Sequence, residues 1–243
     1  GKEEQATPWA VMVALAANKT QCPVKIALTR AEDMRFTGKR HPYSADFKMG
    51  LNAAGKILAY EVTYLQNAGA FADLSLSILE RSLFHATNSY FIAHVRATAL
   101  SCRTNLPPNT AFRGFGAPQA MFILESAIFK AAQEMRVDPA YIQQQNLLQT
   151  GDVFPYGMLA KNAQAVVSWE QLHQDFSLDQ QQQAIATFNT SHVLEKKALA
   201  LMPVCFGIAF TAFFLNQADA LVHVYSDGSV SISCGAVEMG QGV

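Results

Sequence analysis

The segment Asn109-Thr110-Ala111-Phe112-Arg113-Gly114-Phe115-Gly116-Ala117-Pro118-Gln119 sets one guanidinium between two aromatic rings and brackets the second ring with glycine. An ordinary turn calls for Gly, Asn or Pro and has no use for Phe-Arg-Gly-Phe. Glycine lets a backbone approach an anion or an oxo group closely, and backbone N–H groups ahead of a helix favour such a ligand. Arg113 adds a fork of donors suited to phosphate or a metal-bound oxygen. Phe115 is placed to present a flat face to a planar molecule. The residues alone also admit a plainer turn with a surface arginine and core phenylalanines. An RNA-binding Arg-Gly-Phe segment is disfavoured, because no basic patch surrounds it.

Two further stretches carry chemistry. Residues 237–243, Val-Glu-Met-Gly-Gln-Gly-Val, form a second glycine-rich turn with Glu238 and Gln241. A glutamine amide both donates and accepts, which suits a heterocycle or an oxo ligand, although a hairpin turn explains the glycines equally well. In residues 78–85, Arg81 stands between apolar neighbours on an expected helix. Such an arginine is either ion-paired in a core or aimed at a substrate. The 6 histidines show no ligand spacing and are taken as structural. The 4 cysteines lie far apart without Cys-x-x-Cys spacing, which argues against zinc or iron–sulfur binding by this chain and for buried thiols in a reducing compartment.

The elements that must position these residues follow from periodicity. A helix is expected over residues 3–19, a strand over 23–30 and a hairpin over 45–65 turning at 52–55. A helix over 74–85 precedes a strand over 92–103 that leads into the opening segment. An amphipathic helix is expected over 118–135, with Phe122, Ile123, Ile128 and Phe129 on its apolar side. Another helix spans 139–148, and residues 156–172 are weakly patterned. Residues 175–190, polar and rich in Gln, suggest a surface helix or linker, with a domain boundary near Gln171. Residues 198–215 carry no charge and are long enough for a membrane span. Pro203, Gly207 and the alternating hairpin that follows, turning at Asp227-Gly228, favour buried strands and no membrane. Hairpins dominate, so the class is α+β rather than a doubly wound parallel sheet.

The chain has 243 residues, is 50% hydrophobic and carries a net charge of −1. That supports a sizeable core, and no basic surplus points to nucleic acid. It begins Gly1-Lys2-Glu3 without Met and stops inside a glycine-rich turn, as expected of an internal segment of a longer protein.

Taken together, Gly1-Lys2-Glu3, the 109–119 segment, residues 206–230 and Glu238-Met239-Gly240-Gln241-Gly242 resemble the molybdenum-cofactor portion of the xanthine dehydrogenase/aldehyde oxidase family, in order and spacing over nearly the whole chain. The resemblance implies part of that family's molybdenum-cofactor-binding domains, with hairpin-rich sheets and packed helices. Residues 1–170 would be the C-terminal part of the first such domain and 171–243 the N-terminal part of the second. It implies that Glu3 hydrogen-bonds a purine. Arg81 would bind the purine's far side and stabilise charge developing there. Phe115 would stack on the substrate, with Phe210 meeting it edge-on and Thr211 alongside. Arg113, the backbone of Ala111 and Phe112, and Gly240 with Gln241 would contact a molybdenum–molybdopterin cofactor, none of them ligating the metal directly.

The implied reaction is hydroxylation of hypoxanthine and xanthine to urate with oxygen derived from water. Electrons would leave through 2Fe-2S clusters to FAD, both on other segments or subunits. The general-base glutamate would lie beyond Val243. A cytoplasmic homodimer in purine catabolism is the implied setting. Aldehyde oxidases of the family carry uncharged residues in place of Glu3 and Arg81, so an aldehyde-oxidising enzyme is the alternative, as is an inactive truncated segment. The isolated chain is expected to be inactive. Ala117 stands where the family has Gly, and Ala236-Val237 where it has Gly-Thr. An added methyl there raises the question of crowding or of a forbidden positive φ.

Overall fold

The structure is a computed structural model and describes residues 2–237, with side chains from residue 6 onward. The chain divides into two units, residues 1–205 and residues 206–243.

The first unit is organised by a mixed three-stranded sheet of order β1-β2-β3. β1 (Tyr43–Leu51) and β2 (Ile57–Gly69) form the expected antiparallel hairpin. Asn52 closes its turn, its side-chain oxygen accepting from the N–H groups of Ala54 and Lys56. β3 (His94–Arg103) lies parallel to β2 and is reached through the crossover helix α1 (Ser75–Phe84). Alternation announces a strand but not its direction, so this parallel pair is invisible to a period-two pattern.

One side of β2 is sealed. Tyr60, Val62, Tyr64 and Gln66 are each at most 1% exposed. Helix α2 (Ala117–Met135) packs there with Ala120, Met121, Leu124, Ala127, Ile128 and Ala132 buried. Of the apolar face expected from sequence, Ile128 is buried, but Phe122 is 73% exposed and Phe129 54%. Small side chains let the helix lie close to its neighbours, and the bulky rings turn outward. Helix α3 (Pro139–Gln145) follows, capped by Asp138. Asn146 ends it and ties it to the hairpin, accepting from Ile57 N–H and donating to the Gly55 and Ile142 carbonyls.

The N-terminal stretch is the helix Lys2–Thr20, as expected. The strand expected over 23–30 is absent. Residues 23–29 are irregular and the helix Arg30–Phe36 begins instead. Thr29 accepts from Glu32 N–H, and the Glu32 carboxylate accepts from Thr29 N–H. That reciprocal pair is a capping box, and it overrides the short apolar run before it. Helices Ala165–Asp175 and Leu178–Ser191 occupy the weakly patterned and Gln-rich stretches.

Residues 198–212 form no strand, contrary to expectation. Asn88 holds the end of the first unit there, donating to the Pro203 carbonyl at 2.6 Å and accepting from Cys205 N–H at 3.1 Å. A side-chain amide thus serves in place of a neighbouring strand. Among the described residues, no helix is long and apolar enough to cross a membrane. Cys22, Cys102 and Cys234 are exposed and Cys205 is half-buried, so the expected burial of the thiols does not hold. In the second unit, β4 (Ala220–Val224) and β5 (Val230–Cys234) form the expected hairpin, with Ser229 N–H bonded to Asp227 in its turn.

Candidate functional site

The 112–116 turn is the most strained backbone in the first unit's candidate site. Three consecutive residues take positive φ: Gly114 at 94°, Phe115 at 53° and Gly116 at 103°. A ring-bearing residue in the left-handed region costs roughly 1–2 kcal/mol and persists only where its surroundings hold it. The glycines leave no alternative. A Cβ on Gly114 would lie 2.3 Å from the Pro118 ring, and one on Gly116 would lie 2.1 Å from the Ile78 carbonyl oxygen. Within the turn, Phe115 N–H donates to the Phe112 carbonyl at 2.8 Å and Ala117 N–H to the Gly114 carbonyl at 3.0 Å. Those two N–H groups are spent on the turn, so the guanidinium groups beside it are the strong donors for an anion.

Arg113 is exposed, Ala111 is buried, Phe112 is exposed and Phe115 is half-buried. The turn has a second arginine that no sequence signature announces. Arg40 donates through Nη2 to the Arg113 carbonyl at 2.7 Å, and its Cζ lies 4.4 Å from the Phe112 ring centroid. Arg40 Nη1 is buried and has no hydrogen-bond partner among the described residues, as is also true of Gln119 Oε1. Burial pushes the Arg40 pKa down. An arginine starts so high that it remains a cation at neutral pH. Ala117 answers the question raised by its methyl. It is the first residue of α2, fully buried, and is not among the residues with positive φ. Neither Ala236 nor Val237 has positive φ.

Arg81 lies on α1 and is 7% exposed. Its cause of perturbation is first burial, which pushes the pKa down, and then the Tyr156 phenol, which pushes it back up. Tyr156 itself meets Phe84 edge-on at 5.2 Å and stacks on Phe154 at 5.3 Å. The structure joins Arg81 to the turn through one helix, since Ile78 and Ser82 of α1 are the groups pressed against Gly116.

His41 adjoins Arg40 and is 2% exposed, with Nε2 2.8 Å from Ser75 Oγ. Its carbonyl accepts from Gln119 at 3.3 Å. Burial lowers its pKa from 6.5 to about 4, partly offset by Asp73. The folded state thus takes up its proton later than the unfolded state does. Stability from this group is present above pH 6.5 and is lost as pH falls towards about 4. The loss is at most about 3 kcal/mol. His85, buried and likewise lowered, acts in the same direction. We expect His41→Gln in the intact protein to flatten the fall of the thermal midpoint across that interval. An unchanged slope would exclude His41 as its source.

Phe210 and Thr211 are half-buried in the second unit. The Asn216 side chain accepts from Phe210 N–H at 2.8 Å and donates to its carbonyl at 2.7 Å, which fixes the backbone under the ring. Glu3 lies in the first turn of the N-terminal helix. Its side chain, Gly240 and Gln241 lie outside the described residues. A cavity of about 520 Å³ in the first unit, lined by residues such as Leu148, Trp169, Met202 and Cys205, contains none of the expected site residues. Among the described residues, no group of 3 or more His, Cys, Asp or Glu side chains could hold a metal ion.

Comparison with known proteins identifies the family. Residues 1–147 and residues 171–243 each match a model described as a molybdopterin cofactor-binding domain. Over its full length the chain is 42% identical to xanthine dehydrogenase of Oryza sativa and 41% identical to xanthine dehydrogenase/oxidase of Mus musculus. It is also 42% identical to a nicotinate hydroxylase of Emericella nidulans. The chain spans 18% of the length of each of these relatives. Among solved structures, the aldehyde oxidoreductase of Desulfovibrio desulfuricans superimposes with a TM-score of 0.74 at 23% identity, over 91% of this chain and 24% of that one. That likeness concerns the fold, which is the expected arrangement of helices and sheets. The two matched models cover most of the sequence, and the chain belongs to the molybdopterin cofactor-binding domain family.

Proposed function

We propose that this chain forms part of a molybdenum hydroxylase that oxidises hypoxanthine and xanthine to urate. The observation that carries the reading is the strained turn. Phe115 is held at φ 53° between two glycines at 94° and 103°, beside two arginines. Such strain in an aromatic residue is seldom retained without a use for the ring's direction.

The residues fit the cofactor. Arg40 Nη1 is a buried donor without a partner among the described residues, and Arg113 is an exposed cation on the same turn. Together they suit an anionic, oxygen-rich group such as the phosphate of molybdopterin. The glycines at 114 and 116 serve the turn's own packing, against the Pro118 ring and α1, and so hold the arginine-bearing segment in place. The backbone of Ala111 and Phe112 belongs to the same contact surface, with Gly240 and Gln241 contributing from the second matched region. The cofactor, when bound, supplies the oxidising centre at which water-derived oxygen reaches the substrate carbon.

The chain's own residues then bind and polarise the substrate. Phe115 stacks on the purine plane, Phe210 meets its edge, and Thr211 lies alongside. Glu3 hydrogen-bonds the heterocycle. Arg81 stabilises negative charge that builds on the far side of the ring during attack. Its burial strengthens that effect, because a desolvated cation acts in a low dielectric. The proton-abstracting glutamate, the iron–sulfur clusters and FAD belong to other parts of the intact protein, a cytoplasmic homodimer. Residues 1–170 and 171–243 serve as portions of the first and second cofactor-binding domains.

The relatives include enzymes named for xanthine and for nicotinate, both electron-poor nitrogen heterocycles. That favours hydroxylation beside a ring nitrogen over aldehyde oxidation. The test is turnover of xanthine by the intact protein in isotopically labelled water. Label in the urate is expected, and urate labelled only from dioxygen would overturn the proposed reaction.

A further inference from the structure

A row of polar side chains crosses the sheet and ends on the strained turn. Tyr43 of β1, Gln66 of β2 and Ser101 of β3 stand opposite one another in register. Ser101 Oγ donates to Gln66 Oε1 at 2.8 Å, and Gln66 Nε2 donates to the Tyr43 hydroxyl at 2.9 Å. Tyr43 is 2.9 Å from Ser82 Oγ on α1. Ser82 Oγ is 3.0 Å from the Gly116 carbonyl and 3.1 Å from the Ile78 carbonyl.

One assignment of the hydroxyl hydrogens satisfies every acceptor in the row. Gln66 gives Tyr43 a donor, so the Tyr43 hydroxyl hydrogen is available for Ser82. A carbonyl can only accept, so the Ser82 hydrogen goes to Gly116, shared with Ile78. In that assignment the row ends with Ser82 donating to the backbone of the turn. Gln66 and Ser82 are fully buried, so no water competes. Gly116 is pressed so closely onto α1 that no side chain fits between them. The hydroxyl of Ser82 is therefore the polar fastening between two elements: the helix that carries Arg81, the preceding residue, and the turn that carries Phe115, the preceding residue of its segment.

We infer that Ser82 is a positioning residue for heterocycle binding. Through the Gly116 carbonyl it fixes the left-handed conformation of Phe115 relative to α1, so that the ring and Arg81 address one planar ligand together. Nothing in the composition or spacing of residues 78–85 distinguishes this serine from an ordinary helix residue. Its role emerges only where α1 meets the turn. The inference rests on the proposed roles of Arg81 and Phe115 and adds to them the group that sets their mutual geometry.

The test uses the intact protein purified without molybdenum, with xanthine as the probe and calorimetric titration as the readout. Ser82→Cys keeps the side-chain shape but offers only a weak donor, and Ser82→Ala removes the donor without adding volume. Either is expected to weaken xanthine binding about tenfold, the scale of one buried hydrogen bond plus the freedom regained by the turn. Tyr43→Phe is the contrast. It deletes a hydroxyl from the same row but leaves Ser82 bonded to Gly116, so it is expected to lower the thermal midpoint while leaving the xanthine affinity unchanged. In the molybdenum-loaded protein, Ser82→Cys should raise KM for xanthine while changing kcat far less.

Unchanged affinity in the Ser82 variants would overturn the inference. Equal weakening by Tyr43→Phe and Ser82→Cys would also overturn it, by showing general loosening of the sheet instead of a specific fastening. If Ser82→Cys does not fold, Ser82→Ala carries the same expectation. A wild-type protein that fails to bind xanthine would overturn the purine reading, and the inference with it. The wild-type titration alone distinguishes that failure from the others.

Discussion

Replacing Arg81 with Met in the intact protein is expected to lower xanthine turnover about a hundred- to thousand-fold and to lower aromatic aldehyde turnover far less. The side chain is 7% exposed, so the charge sits where water screens it poorly. Attack on a purine carbon pushes electron density onto the ring, and a fixed cation at the far side lowers the energy of that state more than of the ground state. An aromatic aldehyde builds its charge on its own carbonyl oxygen instead of on its ring, so a cation at the far side of the ring does less for it. Met is an unbranched side chain that removes the charge. The thermal midpoint of the variant, measured alongside, separates a folding defect from a loss of substrate stabilisation. Steady-state kinetics on both substrates, normalised to molybdenum content, check this. Equal losses on the two would remove Arg81 from substrate selection.

Gly116→Ala is expected to disrupt the turn and the cofactor site together. Two penalties coincide there. The φ of 103° is one that a Cβ resists, and the new methyl would lie 2.1 Å from the Ile78 carbonyl and 2.8 Å from Ser82 Oγ. The backbone carbonyl of a helix cannot swing away as the tip of a flexible side chain can. The combined cost is about 3 kcal/mol or more. Gly228→Ala separates the two effects. It shares a positive φ, 82°, but its methyl would meet nothing within 4 Å. It should cost only about 1 kcal/mol. Thermal midpoints and molybdenum content of the two variants give the comparison. A Gly116→Ala protein that is as stable and as fully loaded as Gly228→Ala would contradict the close approach of the turn to α1.

The parts of the fold carried by local pattern were legible. Helix α2 begins within one residue of its expected start, because Pro118 marks a first turn. The 45–65 hairpin turns where Asn and Gly permit it. What local pattern cannot carry is the choice among neighbours. Phe122 and Phe129 look like core residues, yet α2 meets the sheet with Ala120, Ala127 and Ile128. Which face is buried depends on how near the neighbouring elements come, and no single segment encodes that distance. Residues 23–30 read as a strand by their Val-Ile-Leu content, although Thr29 and Glu32 carry the signature of a helix capping box.

The site divides in the same way. Arg113 and Phe115 stand in one distinctive segment and are visible at once. Arg40 reaches the same turn from 73 residues away, and Ser82 from 34. Both are joined to it by tertiary packing alone. Their residue types are ordinary in their own segments, so no spacing rule finds them. The strain at Phe115 is equally hidden, since a sequence shows that glycines flank the ring but not that the ring-bearing residue itself adopts positive φ.

The proposed site pairs a turn that suits molybdopterin with a helix that carries a purine contact. The most direct measurement compares urate formation from xanthine with oxidation of an aromatic aldehyde by the intact protein, expressed with molybdenum-cofactor maturation, with molybdenum assayed in the same sample. Molybdenum present with xanthine strongly preferred is the expected result. Molybdenum present with aldehyde preferred would contradict the assigned role of Arg81 and Glu3, and a folded protein without molybdenum despite working maturation would contradict the assigned role of the turn.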